Sequence, residues 1–392
     1  MSTLRANVCM VVYSSFVNDA RIIREAKTLV KSGYVVSVFA LHQEGLAKNE
    51  EMHGFEVNRI SLTFRKLPEY NIFQILKYFE FVVRCYFRTR KRNISICHCH
   101  NLEALLIGYL IVKSSRCKLI YDSHELWGDP QYIFFTRPSY PKFVFSIQKR
   151  LEHFIMRRAH AIITVSDSIG EFIARENKVE KPYVIRNVHN LVNVRKLNKI
   201  REKIGMIDDK RKIILYQGEL RRGRGLENLI VSMRRVDHAV LVMLGDGAIK
   251  KELEELATRQ MIEDRTFFMN EVSSEEVLSY TCSADVGIMP VEKVSLSYYY
   301  CLPNKLFEYL MAELPVAVSN FPEMARIVKK HKVGEVFDPA KPQDISRAIN
   351  SLLNNEDRYQ GCRSNTKKVN QIYNWENEEK KLLELYKDLL RE

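Results

Sequence analysis

No run of apolar residues in this 392-residue sequence approaches the roughly 20 that a membrane-spanning helix requires. The longest, Ala104 to Val112, falls well short. A signal-peptide layout and a small-residue cleavage site are also missing, because the chain runs almost directly into the apolar segment Ala6–Tyr13; a cytoplasmic location is the expectation. The 8 cysteines include no C-x-x-C pair. Cys9, Cys85 and Cys97 lie in apolar segments, where a reduced thiol acts as a small hydrophobe, so a disulfide framework is not expected. The 15 glycines and 11 prolines are scattered, with no low-complexity tract or internal repeat, and 46% hydrophobic with 28% charged residues argues against disorder. The run Cys97-His98-Cys99-His100 suggests a metal. On a strand, however, its thiols and imidazoles face opposite sides, so no metal is expected there and the run reads as a strand end lining a cleft.

What is present in excess is positive charge. A formal net charge of +13 calls for an anionic partner: nucleic acid, phospholipid or a phosphorylated small molecule. Asn71 to Arg92 carries six Lys/Arg and one Glu among apolar residues, and Lys142 to Arg158 carries five and one. Gln74, Lys77, Glu80, Arg84 and Arg88 recur at helical spacing as a narrow polar stripe on a mostly apolar helix. Such helices are either core elements with solvated basic faces or surfaces that dock on anionic lipid, where each Lys or Arg contributes roughly 1 kcal/mol. No nucleic-acid-binding motif accompanies the charge, so nucleic acid is not the expected partner.

Short β-rich runs alternate with longer helical patterns throughout, as in parallel α/β architecture. The first series of strands is Ala6–Tyr13, Val35–Leu41, Ile94–Cys99, Leu119–Asp122, Ala161–Val165 and Tyr183–Arg186. The polar stretch Asn187–Lys212 reads as a linker. A second series follows at Ile213–Gln217, Ala239–Leu244, Thr266–Met269, Val286–Met289, Val316–Ser319 and Glu335–Phe337. At this length, two series predict two doubly wound, Rossmann-like domains with a cleft between them. Ligands then belong at the carboxyl ends of the strands.

The loop after the first strand, Tyr13 to Arg21, has no glycine and is a poor phosphate grip; Asn18 or Asp19 there is expected to cap a helix. Further along, Cys97-His98-Cys99-His100-Asn101 and Asp122-Ser123-His124-Glu125 place imidazoles and carboxylates at neighbouring strand ends, a pattern suited to gripping hydroxyls or phosphates. In the second half, Gly218-Glu219-Leu220-Arg221-Arg222-Gly223-Arg224-Gly225 combines close backbone approach with three arginines before a helix, which suits a pyrophosphate. Leu244-Gly245-Asp246-Gly247 either borders a nucleotide or is plain turn chemistry. The helix at Asn304-Lys305-Leu306-Phe307-Glu308 offers Lys305 to phosphate and, one turn on, Glu308 to ribose hydroxyls.

These segments together resemble glycosyltransferase family 4, the retaining enzymes of the GT-B fold. The resemblance is carried by Tyr121 to Leu126, Gly218 to Glu227, Leu244 to Gly247, Pro303 to Pro315 and the closing Asn374-Trp375-Glu376. It implies two Rossmann-like domains facing a central cleft: an acceptor-side domain over 1–190, a nucleotide-sugar domain over 191–373, and a terminal helix 374–392 packing back on the first. It implies transfer of a sugar, with retention, from a nucleotide diphosphate to a glycan or lipid-linked acceptor, as in envelope polysaccharide synthesis. A UDP-type donor is expected, with no other cofactor and no metal. Arg224 takes the place of the family's usual pyrophosphate-binding lysine. Glu219 stands where an arginine often follows the first glycine, so Arg221 or Arg222 is expected to compensate. Glu308 matches the second acid of the Glu-x7-Glu motif, but the first is here Tyr300. The resemblance therefore makes His124, Glu125, Arg224 and Lys305 the catalytic candidates, and Gly218, Arg222, Arg224, Gly245, Tyr300, Lys305 and Glu308 the donor-binding ones. With the basic first domain it also implies a cytoplasmic protein, peripheral at the inner membrane face. A nucleotide-sugar epimerase of related fold, or a non-catalytic partner subunit lacking the first acid, are the competing readings.

Overall fold

The computed structural model describes residues 6–17, 19–68 and 71–391. It resolves into two compact units, Met1–Arg186 with Glu378–Glu392, and Asn187–Asn377. The first boundary thus falls after Arg186, and the terminal helix Trp375–Arg391 belongs to the first unit from Glu378 onward.

The first unit is an eight-stranded sheet formed by β1 (Asn7–Val11), β2 (Val35–Leu41), β3 (Asn49–Met52), β4 (Phe55–Ile60), β5 (Ile96–His100), β6 (Lys118–Ser123), β7 (Ala161–Thr164) and β8 (Tyr183–Val184). Their order is β3-β4-β2-β1-β5-β6-β7-β8, parallel except for β3 against β4. That hairpin was not anticipated. It turns on His53 and Gly54, both at positive φ (50° and 86°), between the paired Met52 and Phe55. Two left-handed residues in a two-residue connection make the turn that matches strand twist.

The second unit holds β9 (Lys212–Gln217), β10 (Ala239–Leu244), β11 (Thr266–Met269), β12 (Val286–Met289), β13 (Val316–Ser319) and β14 (Gly334–Phe337), within two residues of the expected strands. All are parallel, in the order β11-β10-β9-β12-β13-β14. Every residue of β10 is buried, because helices cover both faces and a continuous apolar run replaces alternation. The chain winds outward from β9 in one direction through β10 and β11, then returns to start the other from β12. The carboxyl ends of β9 and β12 are therefore the topological switch point, where such sheets hold ligands.

The segment read as a linker belongs to the second unit. Within it the short helix Lys199–Lys203 buries Ile200. Lys196 donates to the Asp285 carboxylate at 3.0 Å, and Arg201 lies 3.6 Å from the same group.

Candidate active site

At the switch point of the second unit, the helix Asn304–Met311 is pinned by its own Tyr309. The buried Tyr309 hydroxyl accepts from the Gln217 amide N–H at 3.0 Å and donates to the Ile288 carbonyl at 3.4 Å, tying the helix to β9 and β12 together. Glu308, the preceding residue, therefore faces the end of β9. One of its oxygens accepts from the Gln217 side-chain amide, and the other lies 3.2 Å from His189 Nε2. Thr281 donates to the Gln217 carbonyl oxygen at 2.8 Å and fixes which way that amide points. Burial acts to raise the Glu308 carboxyl, but the bonds from His189 and Gln217 and the charge of Lys305 outweigh it, leaving the group below its ordinary value. Glu308 is an ionised, oriented acceptor.

One turn earlier, Lys305 reaches the loop after β9. Its Nζ lies 4.2 Å from the centroid of the Tyr216 ring and sits where a side chain on Gly218 would begin, 2.8 Å from an ideal Cβ there. Glycine at 218 is what admits the ammonium group. Burial, reinforced by the neighbouring Arg224 and opposed by Glu308, draws Lys305 down to about 7. Arg224 lies across Tyr298, its guanidinium carbon 5.1 Å from the ring centroid. The loop carrying it is strapped to the end of β12: the Glu292 N–H donates to the Gly223 carbonyl at 3.0 Å, and Pro290 O is 1.9 Å from where a Gly225 Cβ would stand. Lys305 and Arg224 thus converge on the loop, with Glu308 one helical turn away.

Not every candidate joins this group. Arg222 is turned onto Glu252 at 2.6 Å and Glu227 at 3.3 Å, on the exposed side of its loop. Arg221 pairs with Glu219 itself, Nε to carboxylate oxygen at 3.1 Å. Gly245 sits against the Gly218 loop: Gly218 donates to the Leu244 carbonyl at 2.8 Å, and a Gly245 Cβ would fall 2.2 Å from Gly218 O. Its contribution is to let two turns touch. Tyr300 ends the short helix Leu296–Tyr299, with its ring 5.2 Å from that of Tyr299.

In the first unit the polar strand ends form a buried network. Asp122 receives Arg21 through Nε at 3.0 Å and Nη2 at 3.1 Å, and also contacts His124 Nε2 at 2.9 Å and His100 Nδ1 at 3.3 Å. Arg21 also meets Glu25 at 3.1 Å and donates to the Ile185 carbonyl at 2.9 Å. His98 shares a 2.8 Å bond with the Tyr386 hydroxyl. His98 and His100 are fully buried, so they form the floor beneath the strand ends instead of lining an open cleft. Burial tends to raise Asp122, yet Arg21, His124 and His100 hold it well below the usual range. Burial raises Glu25 to about 8.

Glu25, His98, His100 and Asp122 do present ligand atoms within 4.8 Å of one another. The Arg21 guanidinium already contacts both carboxylates, so the counter-charge is part of the protein. Of the network, His124 remains partly exposed at 23% and is aimed by Asp122. Asp19, at the start of the helix Ala20–Lys31, makes no capping bond and instead accepts from Ser14 at 2.7 Å; Asn18 lies outside the described residues.

Arg21, His189, Gln217 and Thr281 had no role in the sequence reading. Gln217 alone left a trace, as the polar end of an apolar strand.

Two doubly wound parallel α/β domains define the GT-B class. Residues 20–193 match the model for Glycosyltransferase Family 4, and residues 198–369 that for Glycosyl transferases group 1. An uncharacterized glycosyltransferase of Methanocaldococcus jannaschii is 25% identical over 392 residues, covering 90% of this chain and 95% of that one. Among solved structures, the sucrose-phosphate synthase of Thermosynechococcus elongatus superposes with a TM-score of 0.82 at 18% identity, covering 99% and 100% of the two chains. An Anabaena protein, HepE, solved with UDP and glucose, gives 0.74 at 14%, covering 98% and 100%. The two models together span most of the chain, which is a glycosyltransferase of the family 4 type.

Proposed function

We propose that the chain transfers a sugar, with retention, from a nucleoside diphosphate donor of the UDP type to a hydroxyl of a glycan or lipid-linked acceptor in cell-envelope polysaccharide synthesis. The convergence of Lys305 and Arg224 on the Gly218 loop, with ionised Glu308 one turn away, carries the reading. Two cations beside a glycine loop suit a pyrophosphate. A carboxylate with oriented partners suits a ribose diol. The UDP held by the Anabaena protein supports the same donor class.

In this reading Arg224 and Lys305 stabilise the charge that develops on the departing diphosphate, which is where a transferase of this kind gains most. His124, oriented by Asp122, and Glu125 serve the reacting sugar and the acceptor hydroxyl. Tyr300 replaces the usual first acid and offers a phenol in its place.

A membrane-bound acceptor is supported by the first unit's surface. On the helix Asn71–Thr89, Leu76, Phe79, Val83 and Phe87 are each 41–53% exposed, flanked by Arg84, Arg88 and Arg90. The outward face thus carries Gln74, Arg84 and Arg88 of the polar stripe read from spacing together with these apolar residues, while Lys77 of that stripe is buried. Phe143 and Ile147 stand out similarly from the helix Lys142–Met156. No helix among the described residues is long and apolar enough to cross a membrane.

Thermal melts with UDP, GDP, ADP and CMP test the donor assignment. A ligand at 100 times its Kd adds about 2.7 kcal/mol to the state that binds it. UDP is expected to give the largest upward shift, and melts unmoved by every nucleotide would remove the reading.

A further inference from the structure

A small cavity of about 200 Å³ lies wholly within the second unit, at the amino ends of β12 and β13. The strands are parallel, so this is the opposite edge of the sheet from Lys305 and Glu308. Its wall carries Arg195 and Lys196 from the segment before β9, Arg363 and Lys367 from the helix Glu356–Asn370, and a single acid, Glu313.

Fixed elements bring these cations together. Tyr359, only 6% exposed, donates from its hydroxyl to the Asp285 carbonyl at 3.1 Å and holds its helix against the start of β12. Arg363 and Lys367 follow at four-residue spacing on the same side of that helix. Lys196 is anchored on the Asp285 carboxylate at 3.0 Å, which places the neighbouring Arg195 in the same wall.

The acids nearby do not consume this charge. The Asp285 carboxylate already accepts from Lys196 and from the Ile213 N–H at 2.8 Å, with Arg201 at 3.6 Å. Glu313 stands 3.4 Å from Lys367 and 3.9 Å from Arg363, both longer than the roughly 2.7–2.9 Å of a charge-assisted bond. Among the described residues, the side chains of Arg195, Arg363 and Lys367 donate no hydrogen bond, so their N–H groups are unspent. Burial draws the Lys196 ammonium down, Asp285 opposes it, and the charges of Arg201 and Arg363 act with burial. The cations crowd one another.

Four cations around a concavity, against one carboxylate, suit an anion of more than one charge. The guanidinium fork matches phosphate oxygens, and a phosphate monoester carries about −1.5 to −2 at neutral pH. The volume decides its size. It falls below the roughly 300–1,000 Å³ of drug-sized ligands, so the cavity suits a compact phosphate and not a second nucleotide.

The same cavity touches the donor helix from behind. Ala312 to Leu314, the turn that closes the helix Asn304–Met311, form part of its wall. The Leu314 N–H donates to the Tyr309 carbonyl at 3.0 Å. Asn370, at the end of the helix bearing Arg363 and Lys367, donates to the Leu310 carbonyl at 2.9 Å. One helix therefore has Lys305 and Glu308 toward its start and this cavity at its end.

We infer that the cavity is an effector site for a small phosphate monoester, whose binding alters donor affinity through the helix Asn304–Met311. Binding at the cavity is independent of the transferase reading; the coupling rests on that reading.

Calorimetry on the full chain provides the test, with UDP saturating so that the Gly218 loop is already filled. The probes are inorganic phosphate, glycerol 3-phosphate and ribose 5-phosphate. At least one is expected to bind, with its Kd raised about tenfold or more in Arg363→Ala/Lys367→Ala and in Arg195→Glu. Melting temperatures of these variants should stay near wild type, because the ion pairs removed are loose and exposed. UDP titrated with and without the bound phosphate should differ in Kd by about fivefold or more. Absence of phosphate binding in the wild type, or equal binding in both variants, overturns the site. Unchanged UDP affinity overturns the coupling. Loss of phosphatidylglycerol vesicle binding in the same variants, with no soluble phosphate bound, would assign the cations to a lipid headgroup and overturn the effector. A wild type that binds phosphate through these residues but never binds UDP leaves the site standing and overturns the donor reading instead.

Discussion

Lys305 is the residue whose chemistry is most exposed to measurement. Its ammonium is drawn down to about 7 from an ordinary 10.5. Between those values the unfolded chain holds a proton that the folded site does not, so this residue's contribution to stability increases with pH across the window. Donor affinity should move the other way. The diphosphate of UDP-glucose favours the ammonium form, so binding is expected to be strongest below pH 7 and to weaken progressively above it. Lys305→Met should flatten that profile and bind more weakly at pH 6.5; calorimetry from pH 6 to 9 reads both. Arg224 differs because a guanidinium does not titrate in this range. If it stabilises the departing diphosphate, Arg224→Ala should lower turnover by about 100- to 1,000-fold, the cost typical of removing one transition-state donor. The melting temperature should stay near that of wild type, since Arg224 is partly exposed and its contact is with the face of Tyr298. Near-normal transfer by this variant would sink its assignment.

Between elements, the second sheet's site depends on two turns that touch. The loop after β9 and the turn after β10 approach so closely that Gly245, at φ 151°, has the Gly218 carbonyl where its Cβ would be. Gly245→Ala must move one backbone against the other. A destabilisation of about 1–3 kcal/mol is expected from the strained conformation, with more from the clash. Because the displaced partner is the glycine beneath Lys305, UDP affinity should fall as well. Urea unfolding with a parallel UDP titration separates the two effects. The pairing of Tyr309 with both β9 and β12 explains why Glu308 is oriented before any donor arrives.

At the level of the whole molecule, a net charge of +13 has two separate outlets. Some cations are internal, as with Arg21 in the Asp122 network and Arg59, which donates to the Ser15, Phe16 and Ala47 carbonyls. Others, such as Arg88 and Arg90, flank exposed aromatics, with Arg90 lying 4.5 Å over Phe87. Arg92 is exposed but already paired, being bound to Glu56 and Ser37 at 3.0 Å each. The protein is therefore expected to sediment with phosphatidylglycerol vesicles. Phe79→Glu with Phe87→Glu should abolish this, and neutralising Arg88, Arg90 and Lys91 should weaken it in a salt-dependent manner. Equal recovery of wild type and the double variant in the supernatant would count against the membrane surface.

The alternation of apolar strands and helices was enough to place the second sheet almost residue by residue, because strands buried on both faces must be continuously apolar wherever the chain puts them. Lys305 and Glu308 were legible for a similar reason: three residues apart on one helix, they share a side. The sequence by itself thus determined the fold class, the strands other than the β3–β4 hairpin, and the helix that carries Lys305 and Glu308. Only the tertiary structure decided that Arg222 faces Glu252 while Arg221 pairs with Glu219, since side chains on a loop have no fixed period. Only it joined Arg21 to Asp122 across 101 positions and His189 to Glu308 across 119. Such contacts depend on which strands become neighbours, and that follows from packing the whole sheet, not from any local pattern. The outward aromatics of the helix Asn71–Thr89 are the same case, because spacing gives a helix two faces and only its neighbours select which one is buried.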